Sequence, residues 1–360
     1  MKKTRFILAI LLTALLMLTL VACGDQGEVG TQAPSEPTEP SGGETEQPSE
    51  PAETEGGKKF TFGYIAWDLK DEWNTYGMEA FCWAAEQKGV EVITVDGNND
   101  PATQVSLAED VINKGVDGIS LFPCTPEVGA TIVRMCNEAN IPISIENIFL
   151  PEDTEGEVVG QVACLYADIG YAAIKYAAEK YPGCKLLYCA GAKGMGIYEE
   201  YQKGVDKAIE DFGDKVTIVG IVHGDWETEK SMQVTQDFIT SGQSDFQVVF
   251  ANNDLQARGV YNALKEAGME NDVKIISTGG APVAFEMIKE GTQHANMTAP
   301  VNIQGLVTFR NLWQYVNGVE IEEKKLPLPV IPVDIDNIDT EAIHWQDNEA
   351  ALKFIGGIEP

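Results

Sequence analysis

Residues able to do chemistry fall in short clusters between apolar runs. The first cluster is Trp67 and Asp68, followed by Trp73 and Asn74; later come Cys124, between Pro123 and Thr125, and Glu146-Asn147. The second half offers Gly191-Ala-Lys-Gly-Met-Gly196 with Tyr198 and Glu199, then His223-Gly-Asp-Trp226, then Asn252-Asn-Asp254, then Gly279-Gly280. Flat aromatic faces pack against the C–H faces of sugars or against heterocycles, and Asn and carboxylate groups fix hydroxyls. That is the chemistry of holding a small molecule. Trp73 and Trp226 read as site residues, Trp67 reads equally well as site or packing, and mid-helix Trp83 reads as core. One of Asn252, Asn253 and Asp254 is expected to cap the helix that follows.

Catalytic patterns are weak. The Gly191–Gly196 glycines are spaced three then two, the reverse of the dinucleotide fingerprint, and no Gly-Lys-Ser/Thr phosphate loop is present. There is no Gly-x-Ser-x-Gly elbow. His223, His294 and His344 are far apart in sequence and outside any metal-spaced motif, so no metal and no cofactor is expected. Apart from Cys23 there are six cysteines at irregular spacings with no CxxC. They read mostly as small buried apolar residues, with Cys124 a candidate to line the pocket.

The elements that position these clusters alternate. Apolar runs at 60–66, 90–95, 118–122 and 141–145 read as strands, separated by helical patterns at 75–88, 101–114 and 127–138. A second series has helices at 168–180, 199–211, 229–240, 255–267, 282–289 and 305–316. Its strands are at 185–189, 216–222, 247–251 and 274–277. Short apolar strands alternating with amphipathic helices imply parallel sheets covered on both faces, and two such series imply two doubly wound α/β lobes. In such sheets ligands sit beyond the carboxyl ends of the strands, where the clusters fall.

Composition narrows the class. The chain has 360 residues, 25 Lys+Arg against 56 Asp+Glu and a net charge of −31, which repels phosphate backbones and excludes nucleic acid as a direct partner. At 44% hydrophobic it can bury a sizeable core. Residues 1–22 read as a secretory signal, with Lys2, Lys3 and Arg5 ahead of an apolar stretch. Leu20-Val21-Ala22-Cys23-Gly24 resembles the bacterial lipobox, which implies that Cys23 is lipidated and that the membrane is met through acyl chains alone. Residues 25–57 are rich in Pro, Ser, Thr, Gly and Glu, without Lys, Arg or an aromatic, and read as a disordered acidic tether spanning roughly 30 Å. The body from 58 onward keeps 47 acidic and 22 basic residues.

Several segments, in order and spacing, carry a family resemblance. Asp100-Pro-Ala-Thr-Gln104 followed by Val116-Asp-Gly-Ile119 is one pair, and Ala139-Asn-Ile-Pro142 the next. Phe250-Ala-Asn-Asn-Asp254 with Leu264-Lys-Glu-Ala-Gly268 comes after these, then Glu290-Gly291 and Asn317-Gly318. Across residues 60–336 the chain resembles the type I periplasmic-binding-protein superfamily, in its ribose-like sugar-binding branch. The resemblance implies two lobes joined by a three-crossing hinge near Val162, Ala299 and Leu328, clasping a ligand on closure. It implies a first lobe of 58–162 plus 300–328 and a second of 163–299 plus 329–360. Carried over, Trp73 and Trp226 fall at ligand-stacking aromatics and Asn253 at a hydroxyl-binding asparagine. The chain departs at Glu146-Asn147, where the family has Asp-Arg, at Glu199 in place of an arginine, at Gly279 in place of an aspartate, and in lacking a Gln near Ala299. An Arg-poor, Trp-rich, acidic cleft points away from plain ribose and toward a nucleoside, an amino sugar or another partly apolar or cationic ligand.

The function implied is a monomeric, exported, lipid-anchored solute-binding protein on the outer face of a Gram-positive-type membrane, delivering a sugar-like molecule to ABC permease subunits. The alternative is a sensor whose closed form is read by a membrane receptor kinase or chemoreceptor, which neighbouring genes would distinguish. A secreted enzyme would reveal itself by turnover. DNA-binding relatives of the fold carry an N-terminal helix-turn-helix where this chain has a signal and a tether.

Overall fold

The computed structural model describes residues 58–194 and 196–359. The signal stretch, Cys23 and the tether lie outside them. The chain opens with β1 (Thr61–Ala66), α1 (Glu72–Lys88), β2 (Glu91–Asp96), α2 (Pro101–Asn113), β3 (Gly118–Leu121), α3 (Pro126–Glu138), β4 (Ile143–Asn147) and β5 (Gly160–Cys164). It continues with α4 (Tyr166–Lys180), β6 (Cys184–Ala190), α5 (Ile197–Phe212), β7 (Val216–His223), α6 (Thr228–Thr240), β8 (Val248–Ala251) and α7 (Asp254–Glu266). Next come β9 (Lys274–Gly279), α8 (Pro282–Glu290), β10 (Ala295–Thr298), α9 (Val301–Val316), β11 (Lys325–Leu328), β12 (Ile331–Asp334), α10 (Ile338–Glu341) and α11 (Asn348–Phe354).

Two six-stranded sheets result, ordered β11-β5-β4-β3-β1-β2 and β12-β10-β9-β8-β6-β7. The two orders repeat one topology, in which the strand sequence reverses between β1 and β3 and again between β6 and β8. Crevices for ligands open at such reversal points, beyond the strand carboxyl ends. Period-two alternation packs both sheet faces: along β1, Phe62 and Tyr64 face one apolar cluster and Ile65 faces another. Helix starts are set by short polar caps, with Asp100 accepting the Thr103 amide before Pro101 and Thr125 accepting the Val128 amide before Pro126.

The chain passes between sheets at Leu165, at Ala299-Pro300 and at Pro329-Val330. Strand β11 runs toward the cleft and lies parallel to β5. Strand β12 leaves the cleft after only two linking residues, so it lies antiparallel to β10, the one exception to parallel pairing among the described strands. A further passage was not expected from the sequence. After α10, beside β12 in the second lobe, the chain returns and α11 lies against α9 of the first lobe. Helix α9 begins four residues earlier than expected, and strands β5, β10, β11 and β12 mix apolar residues with polar ones or proline and so did not show as runs.

Three helix pairs pack through glycine, one of them α7 on α6 through Gly259. A Cβ on Gly305 of α9 would run into the Gly77 carbonyl of α1, and one on Gly204 of α5 into the Ala167 carbonyl of α4. These close approaches hold α1 and α5, the helices that start at the cleft, in place.

Candidate functional site

On the first lobe, β1 runs into Trp67, whose ring packs on Phe122 at 5.8 Å and whose Nε1 donates to Asn99 Oδ1 at 2.7 Å. Asp71 accepts the Trp73 amide at 2.8 Å and caps α1. The helix therefore starts earlier than its apolar spacing suggests, and Trp73 and Asn74 stand in its first turn instead of on a loop. Trp73 Nε1 donates to Asn147 Oδ1 at 3.1 Å, and the Tyr166 hydroxyl donates to the same oxygen at 2.9 Å. Asn147 ends β4 at φ +75°, which turns its amide toward the cleft. Asn74 is 1% exposed, lines the cavity, and has no protein partner for either amide atom.

On the second lobe Trp226, at φ +70°, lies against Gly191, where any side chain would collide with the indole. Asn253 is the helix cap anticipated for this triplet: its oxygen accepts the Gln256 amide at 2.8 Å and its nitrogen donates to the Trp226 carbonyl at 3.2 Å. It lines the cavity, but much of its hydrogen-bonding capacity is engaged. The unengaged donor belongs to Asn252. Its Oδ1 accepts from Tyr188 and from the Gly191 amide, while Nδ2 has no partner and the residue lines the cavity. Asp254 also lines it, yet both carboxylate oxygens are occupied: Ser277 and Asn296 donate to one, and the Gly280 and Ala281 amides to the other. Burial raises its carboxyl to about 6 against these four bonds, and its role is to hold the Gly279–Ala281 turn.

The returning C-terminal segment supplies a third wall. Trp345 is 5% exposed, donates Nε1 to the Gly279 carbonyl at 3.1 Å, and meets Trp73 edge-on at 5.3 Å and Tyr76 at 5.6 Å. It therefore touches both lobes. Tyr166, Tyr201 and Thr278 complete the enclosure, with the Tyr201 and Thr278 hydroxyls 2.8 Å apart. The cavity encloses about 110 Å³.

Of the anticipated residues, Trp67, Trp73, Asn74, Asn147, Trp226, Asn253, Asp254 and Gly279 thus share one cavity. Five stand elsewhere. Asp68 turns back to accept the Lys70 amide at 3.0 Å. Cys124 is anchored through its amide to Gln104 and packs against the apolar cluster beneath, and burial raises its thiol. Glu146 lies one residue from Asn147 on a pleated strand and so faces the opposite side. It is wholly buried below α1, beside Gly77, accepting from the Tyr64 hydroxyl at 2.9 Å, and desolvation raises its carboxyl to about 8. Tyr198 packs edge-on against His223 and donates to Gln202. Glu199 accepts the Gly194 amide at 2.8 Å, which lowers its carboxyl. Tyr166, Tyr201 and Trp345 were missed by sequence reading, and Asn252 was named in its cluster but not singled out for the site. Trp345 alone carried a signal, an indole in an otherwise acidic, Pro-rich tail. Among the described residues, no three His, Cys, Asp or Glu side chains gather as a metal site.

A family model for the periplasmic binding protein domain matches residues 62–320. The ribose import binding protein of Escherichia coli K12 is 28% identical over 253 residues, covering 70% of this chain and 81% of that protein. Its Bacillus subtilis counterpart is 25% identical, covering 74% and 85%. Among solved structures, a Bacillus halodurans ABC transporter solute binding protein with bound myo-inositol aligns with TM-score 0.71 at 24% identity, over 79% of this chain and 98% of that one. An Actinobacillus succinogenes solute binding protein with bound D-allose aligns with TM-score 0.72 at 23% identity, over 78% and 99%. At these identities the structural matches speak for the fold.

Proposed function

The chain belongs to the periplasmic binding protein family, and from that premise we propose that it captures one small sugar-like molecule between its lobes and delivers it to an ABC permease. The observation that carries this is Asn74, buried at the cavity wall with a donor and an acceptor both unpartnered. A buried amide left unbonded costs about 1–3 kcal/mol, and a hydroxylated ligand would satisfy both atoms. Asn252 Nδ2 offers a second donor from the opposite lobe. Indoles on both sides would cover the ligand's ring faces. The names of the relatives and the ligands of the structural neighbours, ribose, myo-inositol and D-allose, favour a polyhydroxylated ring.

The mechanism is capture without bond making. The lobes would swing about the passages at Leu165, Ala299-Pro300 and Pro329-Val330, and closure would bury the ligand and bring two lobe surfaces into register for the permease. Export, lipid attachment at Cys23, an acidic tether and a monomeric state complete the proposal.

The test is calorimetry and thermal shift of the purified protein against monosaccharides, amino sugars, nucleosides and polyols, after unfolding and refolding to strip any retained ligand. A true ligand at 1,000 times its Kd would stabilise by about 4 kcal/mol. Asn74→Leu is expected to weaken that ligand roughly tenfold to a hundredfold. Absence of any response, or unchanged affinity in Asn74→Leu, overturns the reading.

A further inference from the structure

The cavity wall is unusual in its charge. Among the described residues that line it, none is Lys, Arg or His, while Asp71, Glu72 and Asp254 are present. Asp254 is already saturated by four donors. Asp71 is not. One oxygen caps α1 through the Trp73 amide, and among the described residues no lysine, arginine or histidine lies within ion-pair distance of its carboxylate. Asp71 stands at the solvent-exposed mouth of the cavity, where partial desolvation and the nearby Asp68 and Glu72 raise its carboxyl above the ordinary range.

The same cavity is lined by indoles from three separate parts of the chain: Trp73 from α1, Trp226 from the loop after β7, and Trp345 from the C-terminal segment. A carboxylate without a cation, sharing one cavity with three indoles, complements a positive charge. Charge-assisted hydrogen bonds are about twice as strong as neutral ones, and an ammonium over an indole face gains further attraction. Asn74 provides the independent sign that polar atoms of a ligand belong here, since its buried amide is unpartnered in the same wall. The body's excess of acidic residues works in the same direction at long range, drawing cations in and turning anions away.

We propose that the cavity selects a protonated amine: a sugar-sized, hydroxylated ring whose amino group sits at Asp71 and whose faces lie against the indoles. This rests on the capture reading and names the ligand class for the same site. Sugar phosphates and sugar acids are excluded as ligands on the same grounds, since nothing in the wall would neutralise them.

The experiment measures matched pairs by calorimetry on the purified, refolded protein: D-glucosamine against D-glucose, D-galactosamine against D-galactose, and scyllo-inosamine against scyllo-inositol. N-acetylglucosamine is included as an uncharged nitrogen-bearing control. In at least one pair the amine is expected to bind at least tenfold tighter than its hydroxyl partner, with the acetylated form no better than the hydroxyl. Asp71→Asn keeps the helix cap, because asparagine caps as well as aspartate, and is expected to shrink the amine-to-hydroxyl ratio toward one while the melting temperature holds. If in no pair does the amine bind at least tenfold tighter than its hydroxyl partner, or if Asp71→Asn leaves the ratio intact, the inference falls and capture of a sugar stands. If no member of any pair binds, the inference falls too. The wider solute panel then decides capture separately, because a hit there preserves it and a flat response ends it.

Discussion

Replacing Trp345 with alanine tests whether the C-terminal segment is a working wall of the cleft. The indole is 5% exposed. It makes two edge-on aromatic pairs, with Trp73 and Tyr76, each of about 0.5–1.5 kcal/mol beyond area burial. Its Nε1 bond to the Gly279 carbonyl adds about 1 kcal/mol. These terms, about 3 kcal/mol, leave out burial of the ring itself and so set a lower bound, at the bottom of the range for buried Trp→Ala changes. For a body of this size that is a fall in melting temperature of roughly 6 °C. Trp345→Phe keeps the ring and loses the N–H, and is expected to cost only about 1 kcal/mol. Two assays read the effect: thermal unfolding, and limited proteolysis of residues 335–359, which should become more susceptible in the alanine variant. A melting temperature within 1 °C of the parent, with an equally resistant tail, would refute the claim that Trp345 clamps both lobes.

Glu146 gives a prediction in pH. Burial raises its carboxyl to about 8 from an ordinary 4.5, so the folded chain holds a proton that the unfolded chain releases. Stability from this group is full below pH 4.5 and is lost as pH rises toward 8, by up to about 5 kcal/mol. Glu146→Gln removes the titration, so its stability relative to the parent is expected to climb between pH 5 and 8; a pH-independent difference in chemical denaturation would count against it. Gly305→Ala puts a methyl into the Gly77 carbonyl and is expected to lower stability by at least about 1–3 kcal/mol. Because it also displaces the start of α1, ligand binding should weaken with it. A variant that melts and binds like the parent would show that the two helices have room to spare.

The architecture was legible because each lobe repeats a strong local signal. Runs such as Val248–Ala251, wholly buried between helix layers, must be apolar throughout, and caps such as Asp100 before Pro101 mark helix starts. Several site residues followed from position alone, since Trp67, Trp226 and Gly279 come just after or at the end of strands. What failed was orientation. Glu146 and Asn147 are neighbours on one strand, and only the pleat decides that one faces the cleft and the other the core. Tyr198 and Tyr201 are both on α5, and the sequence does not say which turn of the helix faces its partner lobe; Tyr201 lines the cavity and Tyr198 does not. Asn252 and Asn253 differ only in which one caps α7. Trp345 was out of reach for another reason: its contribution depends on a passage between lobes that no strand or helix pattern announces.

That passage has an evolutionary implication. Most of the cleft is made of residues in the first turns of helices and the loops that join them to the sheets, so changing them risks the fold that carries them. Trp345 belongs to a stretch after β12 that pairs with neither sheet and is fastened by side-chain contacts, such as Asn302 to the backbone of His344 and Asp347. Selection can therefore exchange this wall for another without altering the register of either sheet. The tail is the part of the molecule where a new ligand range is cheapest to try, and where a C-terminal fusion partner would be felt at the binding site.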